Sequence, residues 1–155
     1  MRELVIQEDT FKDRNGIFIN PIYTYMLDIL SNENLNIVQV GAFDGKTDDE
    51  LYPFLYKNKH WTATLIEPMP IPFAKLQKNY DFRENINFEE IAIWHKTGPK
   101  QFWAINDNTQ VPRWAKGCTT LVHDSNPLFG KNCSDEEYSM IKPNVIRSTS
   151  NLTLV

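Results

Sequence analysis

The chain has no apolar run long enough to cross a bilayer. Its opening, MRELVIQEDTFKDRN, sets acids among the first ten residues and lacks the apolar stretch of a secretion signal. Both absences point to a cytoplasmic protein without a membrane span. Cations are too few and too scattered for a nucleic-acid surface: 16 Lys and Arg against 20 Asp and Glu give a net charge of -4, with no basic stripe. Cysteine is nearly absent, and Cys118 and Cys133 form no CxxC, so separate thiols are expected rather than a bridge. His60, His95 and His123 show no H-x-x-x-H and no neighbouring cysteine pair, so no metal is assigned. No Ser-His-Asp or Cys-His arrangement can be read from the residue order, and there are no repeats or low-complexity tracts.

What is present, in 155 residues, suits one domain. Residues 1–35 read as an N-terminal arm and a helix, 36–105 as a cofactor-binding βαβαβ core, and 106–155 as a loop-rich segment. In the arm, two short apolar runs flank Asn15-Gly16, which suggests a hairpin. Asn20-Pro21 starts a helix whose apolar face would carry Ile22, Met26, Ile29 and Leu30, ending near residues 31–34. Ile37 to Val40 reads as a buried parallel strand ending in the turn at Gly41. Thr47 to Glu50 fits a capping box, but Pro53 would remove a helical hydrogen bond, so the helix either starts one turn later or is kinked.

Thr62 to Ile66 is expected as the second strand, followed by Glu67-Pro68. A helix follows, on which Phe73, Leu76 and Tyr80 share a face. Ile86 to Trp94 is expected as one third strand, and Gln101 to Ile105 as an antiparallel return. Ser134 to Glu137 fits a second capping box, and Asn151 to Val155 looks like the start of another strand. Strand and helix in alternation imply an α/β fold with parallel βαβ units.

The chemistry gathers at the first turn. Gly41 and Gly45 meet the needs of a tight turn or of a close ligand approach, but they do not make a G-x-G-x-x-G. The acids around them, Asp44, Asp48, Asp49 and Glu50, suit ordinary capping equally well. They would repel a pyrophosphate and welcome a cation. S-adenosyl-L-methionine, with a sulfonium and an ammonium and no phosphate, therefore fits better than NAD. Glu67 stands 22 residues after Gly45, at the end of the second strand, where a carboxylate can accept from both hydroxyls of a ribose. It reads equally as a solvated acid at a strand end. Glu90, Ile91 and Ala92 would flank the adenine. Trp103 and Trp114 border the long loop and could face an acceptor, with His123 or Asp124 as a base.

The segments VQVGAFDGKTDDELYP, LIEPMPIPFAKLQKNY and INFEEIAIWHKTG, with a later GCTTL, resemble the FkbM-type class I S-adenosylmethionine-dependent methyltransferases, over roughly residues 36–121. The resemblance implies a Rossmann-like sheet with flanking helices. It implies a methyltransferase, an O-methyltransferase acting on a small-molecule, sugar or lipid hydroxyl. Gly41, Ala42, Asp44 and Gly45 would line the methionine part, Glu67-Pro68 the ribose, and Ile91 to Ala92 the adenine. Phe43 departs from the pattern, since relatives often carry Asn there. The family's next strand, of the type D-L-L-x-I-D-x-E-G, would follow Val155. The chain is therefore expected to match the N-terminal part of the family's domain, with a sheet truncated on its C-terminal side. The uncovered flank of the first strand would be filled by residues 151–155, by the N-terminal arm or by a second copy in a homodimer. A catalytically incomplete cofactor-binding module and a nucleotide-dependent oxidoreductase are the alternatives.

Overall fold

The computed structural model describes residues 21–95, 97–106, 110–112, 115, 118–120 and 133–154. The expected hairpin in the arm, along with Trp114, His123 and Asp124, lies outside them. The order is α1 (Pro21–Ile29), β1 (Asn36–Val40), α2 (Tyr52–Lys57), β2 (Thr62–Ile66), α3 (Pro70–Asn79), β3 (Ile86–Glu89), β4 (Ala92–Trp94), β5 (Gly98–Ile105), β6 (Thr119–Thr120), α4 (Asp135–Ile141) and β7 (Val145–Leu154). No described helix is long and apolar enough to cross a membrane.

The strands form two sheets, one parallel in the order β1-β2-β3 and one mixed in the order β4-β7-β5-β6. In the parallel sheet, Ile37 pairs with Ala63, Leu65 with Phe88 and Ala63 with Ile86. Registered residues of parallel strands share a face. That face meets the helices, and its core includes Leu51, Leu55, Trp61, Ala63, Leu65, Leu76, Tyr80 and Ile86. Trp61 is fully buried and donates its Nε1–H to the Glu33 carbonyl at 2.9 Å. Buried Arg83 donates to the carbonyls of Leu55 and Trp61, closing the end of α2 where backbone acceptors lack helical partners.

The opposite face of β1 is open. Val38 and Val40 are 63% and 61% exposed, which corrects the expectation of a buried first strand. β1 has a pairing neighbour on one side only among the described residues, so its hydrophobic run reads like a central strand while it sits at an edge. Residues 151–154 do not fill that edge. They belong to β7, which starts at Val145, earlier than expected, and pairs parallel with β4 and antiparallel with β5.

The expected third strand is two strands. β3 pairs with β2 as far as Ile66–Glu89, and Ala92 then pairs with Leu152 of β7. Past the last bond, from the Glu67 amide to the Glu89 carbonyl at 3.0 Å, the next donor on that side, the Met69 amide, turns back to the Glu67 carboxylate at 2.9 Å, and the ladder stops. Beyond Glu89 the chain takes a new partner, and β5 pairs with β7 and β6.

α1 ends through a 3-10 turn at Leu30–Asn32, as expected, but Leu27 is buried, while Met26 and Ile29 are more than half exposed. α3 follows the expected face, with Leu76 and Tyr80 fully buried and Phe73 packed beside them. The Ser134 capping box is formed: its hydroxyl accepts from the Glu137 amide, and the Glu137 carboxylate accepts from the Ser134 amide. The Thr47 box is not. Asp48 sits at φ 56, outside the helical region, and α2 starts at Tyr52 with Pro53 in its first turn. Starting one turn later was the option that proline allowed. In the second sheet, Ile105, Ala115 and Ile141 make a smaller core.

Candidate functional site

The turn after β1 is built from bonds within itself and to two neighbours. Gly41 and Ala42 both direct their amides at the Ile66 carbonyl, at 2.9 and 3.0 Å. The Gly45 amide closes on the Ala42 carbonyl at 2.7 Å. Asp44 collects the amides of Lys46 and Thr47 at 3.0 and 2.7 Å and the Thr47 hydroxyl at 2.6 Å. Burial raises the Asp44 pKa, but these three bonds outweigh it, and the carboxyl is held below its usual range. Asp49 accepts from the Leu51 amide at 2.8 Å and from the Gln39 side chain at 3.2 Å. The acids therefore lie in the loop, and the first turn of α2 carries none.

The two glycines do different work. Gly45 (φ 66) is buried against α3, where an added Cβ would stand 2.3 Å from Leu76 Cδ1 and 2.6 Å from Tyr80 Cε2. Gly41 (φ 75) faces open space, with nothing within 4 Å of an added Cβ. The first is a packing requirement. The second leaves room for a ligand to approach the backbone.

Glu67 is only 5% exposed. One carboxylate oxygen accepts from the Phe43 amide at 2.8 Å and the other from the Met69 amide at 2.9 Å. A carboxylate has about four acceptor sites, so roughly one per oxygen remains, which matches a vicinal diol. Burial pushes its pKa up, and the two amides offset part of that rise. Among the described residues no cation enters that balance, and a buried acid without a counter-ion is a mark of functional sites.

Donors and acceptors in the turn are unequal. Of its amides, those of Gly41, Ala42, Phe43, Gly45, Lys46 and Thr47 are committed, and that of Asp44 alone has no partner among the described residues. The Asp44 carbonyl accepts from Asn79 at 2.8 Å. The carbonyls of Gly41 and Phe43 have no partner among the described residues. An anion needs a cluster of N–H donors. This turn offers C=O acceptors instead, which suit an ammonium.

The structure thus brings Gly41, Ala42, Asp44, Gly45 and Glu67 together, although Ala42 turns its side chain into the core and can offer only backbone. Pro68 follows, half-buried. Glu90 and Ile91 occupy the junction between the sheets, one step past the Glu67–Glu89 bond, with Glu90 exposed. Ala92 belongs to β4 in the second sheet. Neither Cys118 nor Cys133 is in a disulfide, and burial raises the Cys118 pKa, which keeps it a thiol. Among the described residues no cluster of three or more His, Cys, Asp or Glu suits a metal ion.

Sequence reasoning missed the Phe43 amide and Asn79. Phe43 was marked only as a departure, yet its φ of 51 is a conformation that Asn accepts more readily. Asn79, the last residue of a helix, looks like any other terminal amide. Compared with protein-family models and with curated proteins, the chain finds no match.

Proposed function

We propose that the chain binds S-adenosyl-L-methionine and is a Rossmann-like class I methyltransferase of the FkbM type, acting on a hydroxyl of a small molecule, sugar or lipid. The observation that carries this reading is the acceptor-rich turn at Gly41–Gly45, joined by one hydrogen bond to the buried, counter-ion-less Glu67. When bound, the cofactor supplies an electrophilic methyl on its sulfonium, delivered in line to the acceptor oxygen. Glu67 holds the ribose hydroxyls, the Gly41 and Phe43 carbonyls hold the ammonium, and the Glu90–Ile91 junction borders the adenine. No base is assigned.

A nucleotide-dependent oxidoreductase is disfavoured because the committed amides leave a single N–H in the Gly41–Thr47 turn, that of Asp44, where a pyrophosphate needs a cluster of donors. A cofactor-binding module without turnover is the second reading, favoured by the open flank of β1 beside the crevice. Calorimetric titration separates the ligand classes: S-adenosylhomocysteine is expected to bind and NAD not to. Binding of NAD with no response to S-adenosylhomocysteine would remove the proposal. The uncharged edge Asn36–Val40 also suits antiparallel pairing with a second copy. Sedimentation equilibrium is expected to give a dimer that Val38→Lys dissociates, and a wild-type monomer at high concentration would exclude it.

A further inference from the structure

We infer that Asn79 is the positioning residue for the amino-acid end of the cofactor site, acting through the Asp44 carbonyl; this rests on the S-adenosylmethionine reading above. Beyond the Ile66 carbonyl that holds its first two amides, the turn has two side-chain anchors on two different elements. At Phe43 it is held by Glu67, from the end of β2. At Asp44 it is held by the Nδ2 of Asn79, at the end of α3, 35 positions away in sequence. Beside that bond Gly45 sits against Leu76 and Tyr80, so the last turn of α3 is the seat of the loop.

The Asp44 carbonyl and the Gly45 amide belong to one planar peptide unit. Asn79 holds its oxygen at 2.8 Å, and the Ala42 carbonyl accepts from its N–H at 2.7 Å. The plane is therefore fixed from both ends. Its neighbour across Asp44 Cα carries the Phe43 carbonyl, one of the two acceptors left for an ammonium. Losing the Asn79 bond releases the first plane and, with it, the direction of that acceptor. Glu67 is not reached by this change, because its other oxygen is tied to Met69, at the opposite end of α3 from Asn79.

Two ligands separate the two anchors. Adenosine engages the Glu67 end alone, whereas S-adenosylhomocysteine engages both. Titration of wild type, Asn79→Ala and Asn79→Asp is expected to show S-adenosylhomocysteine weakened about tenfold in both variants, the scale of one hydrogen bond near a charged ligand. Adenosine is expected to stay within about twofold of wild type. Asp keeps the shape of Asn without the donor, so it also serves if the Ala variant fails to fold, and thermal midpoints check both. Equal losses for the two ligands, or no loss for either, would overturn the inference. A wild-type chain that binds neither ligand would instead remove the cofactor reading, and this inference with it.

Discussion

In the first sheet β1, β2 and β3 run in one direction, so Val40, Ile66 and Glu89 end along a single edge. In the second sheet β5 runs against both β7 and β6, and strand ends fall on both edges. Only the first arrangement lets the turns after successive strands converge, which is why ligand crevices lie at the carboxyl ends of parallel strands. The parallel strands also need helical crossovers, and here α2 and α3 bring the larger core, with Trp61, Leu55, Leu65, Leu76 and Tyr80 fully buried. The second sheet rests on Ile105, Ala115 and Ile141. The difference teaches that the candidate turn is precise because α3 is a rigid seat for it.

The largest effect is expected from breaking that seat. Gly45→Ala forces a Cβ into Leu76 and Tyr80, costing roughly 1–3 kcal/mol for overpacking and a further 1–2 kcal/mol or so for its left-handed backbone. Gly41→Ala meets no atom and should cost only the backbone part, about 1–2 kcal/mol, yet it should block the ligand. Denaturant melts of both variants, followed by calorimetry on the folded protein, check this pair. Equal stability losses at the two glycines would erase the contrast between packing and access. If the sheets respond separately, buried Trp61 should report the Gly45→Ala change more strongly than Trp103, which lies under Arg147 at 4.5 Å in the second sheet.

The smallest effect sharpens the same comparison. Phe43 holds a left-handed conformation that Asn adopts more easily, so Phe43→Asn should stabilise the chain by about 0.5–1 kcal/mol while keeping the amide that Glu67 accepts. A chemical melt with no gain, or with a loss, would mean that the phenyl ring contributes packing worth more than the backbone relief.

The sequence made some of this legible for local reasons. β2 was readable because the run Thr62 to Ile66 ends at Glu67-Pro68, the face of α3 because Leu76 and Tyr80 keep helical spacing, and the Ser134 cap because its partner is three residues away. The break after Glu89 was not, since it depends on the Met69 amide of the neighbouring segment turning back to the Glu67 carboxylate. The exposure of Val38 and Val40 was hidden for a similar reason: an apolar β-branched strand reads the same at a sheet's edge as at its centre. At the site, Gly41, Gly45 and Glu67 were visible as residue types at a known spacing. The role of Asn79 arises only when α3 folds back on the turn, and the acids around the turn looked like ligands to a cation when Asp44 and Asp49 serve the loop.

Glu67→Gln tests the central claim most directly, because a carboxylate kept for a ligand should cost the fold something. Burial raises the Glu67 pKa above its ordinary 4.5, so its contribution to stability is complete below that value and is lost as pH rises through the folded-state pKa. Asp44, held below 3.8, acts in the opposite sense: its contribution is present above 3.8 and is lost as pH falls through its lowered value. Gln does not titrate, so the stability of Glu67→Gln relative to wild type should move in favour of the variant as pH rises from acid to neutral. Gln puts an NH2 against one of the two backbone amides, so thermal melts across that range are expected to show a stability deficit that shrinks as pH rises, and S-adenosylhomocysteine titrations at neutral pH binding weaker by about 1.5–3 kcal/mol. A deficit that stays constant or grows as pH rises, with S-adenosylhomocysteine bound as tightly as by wild type, would show that Glu67 serves only the fold.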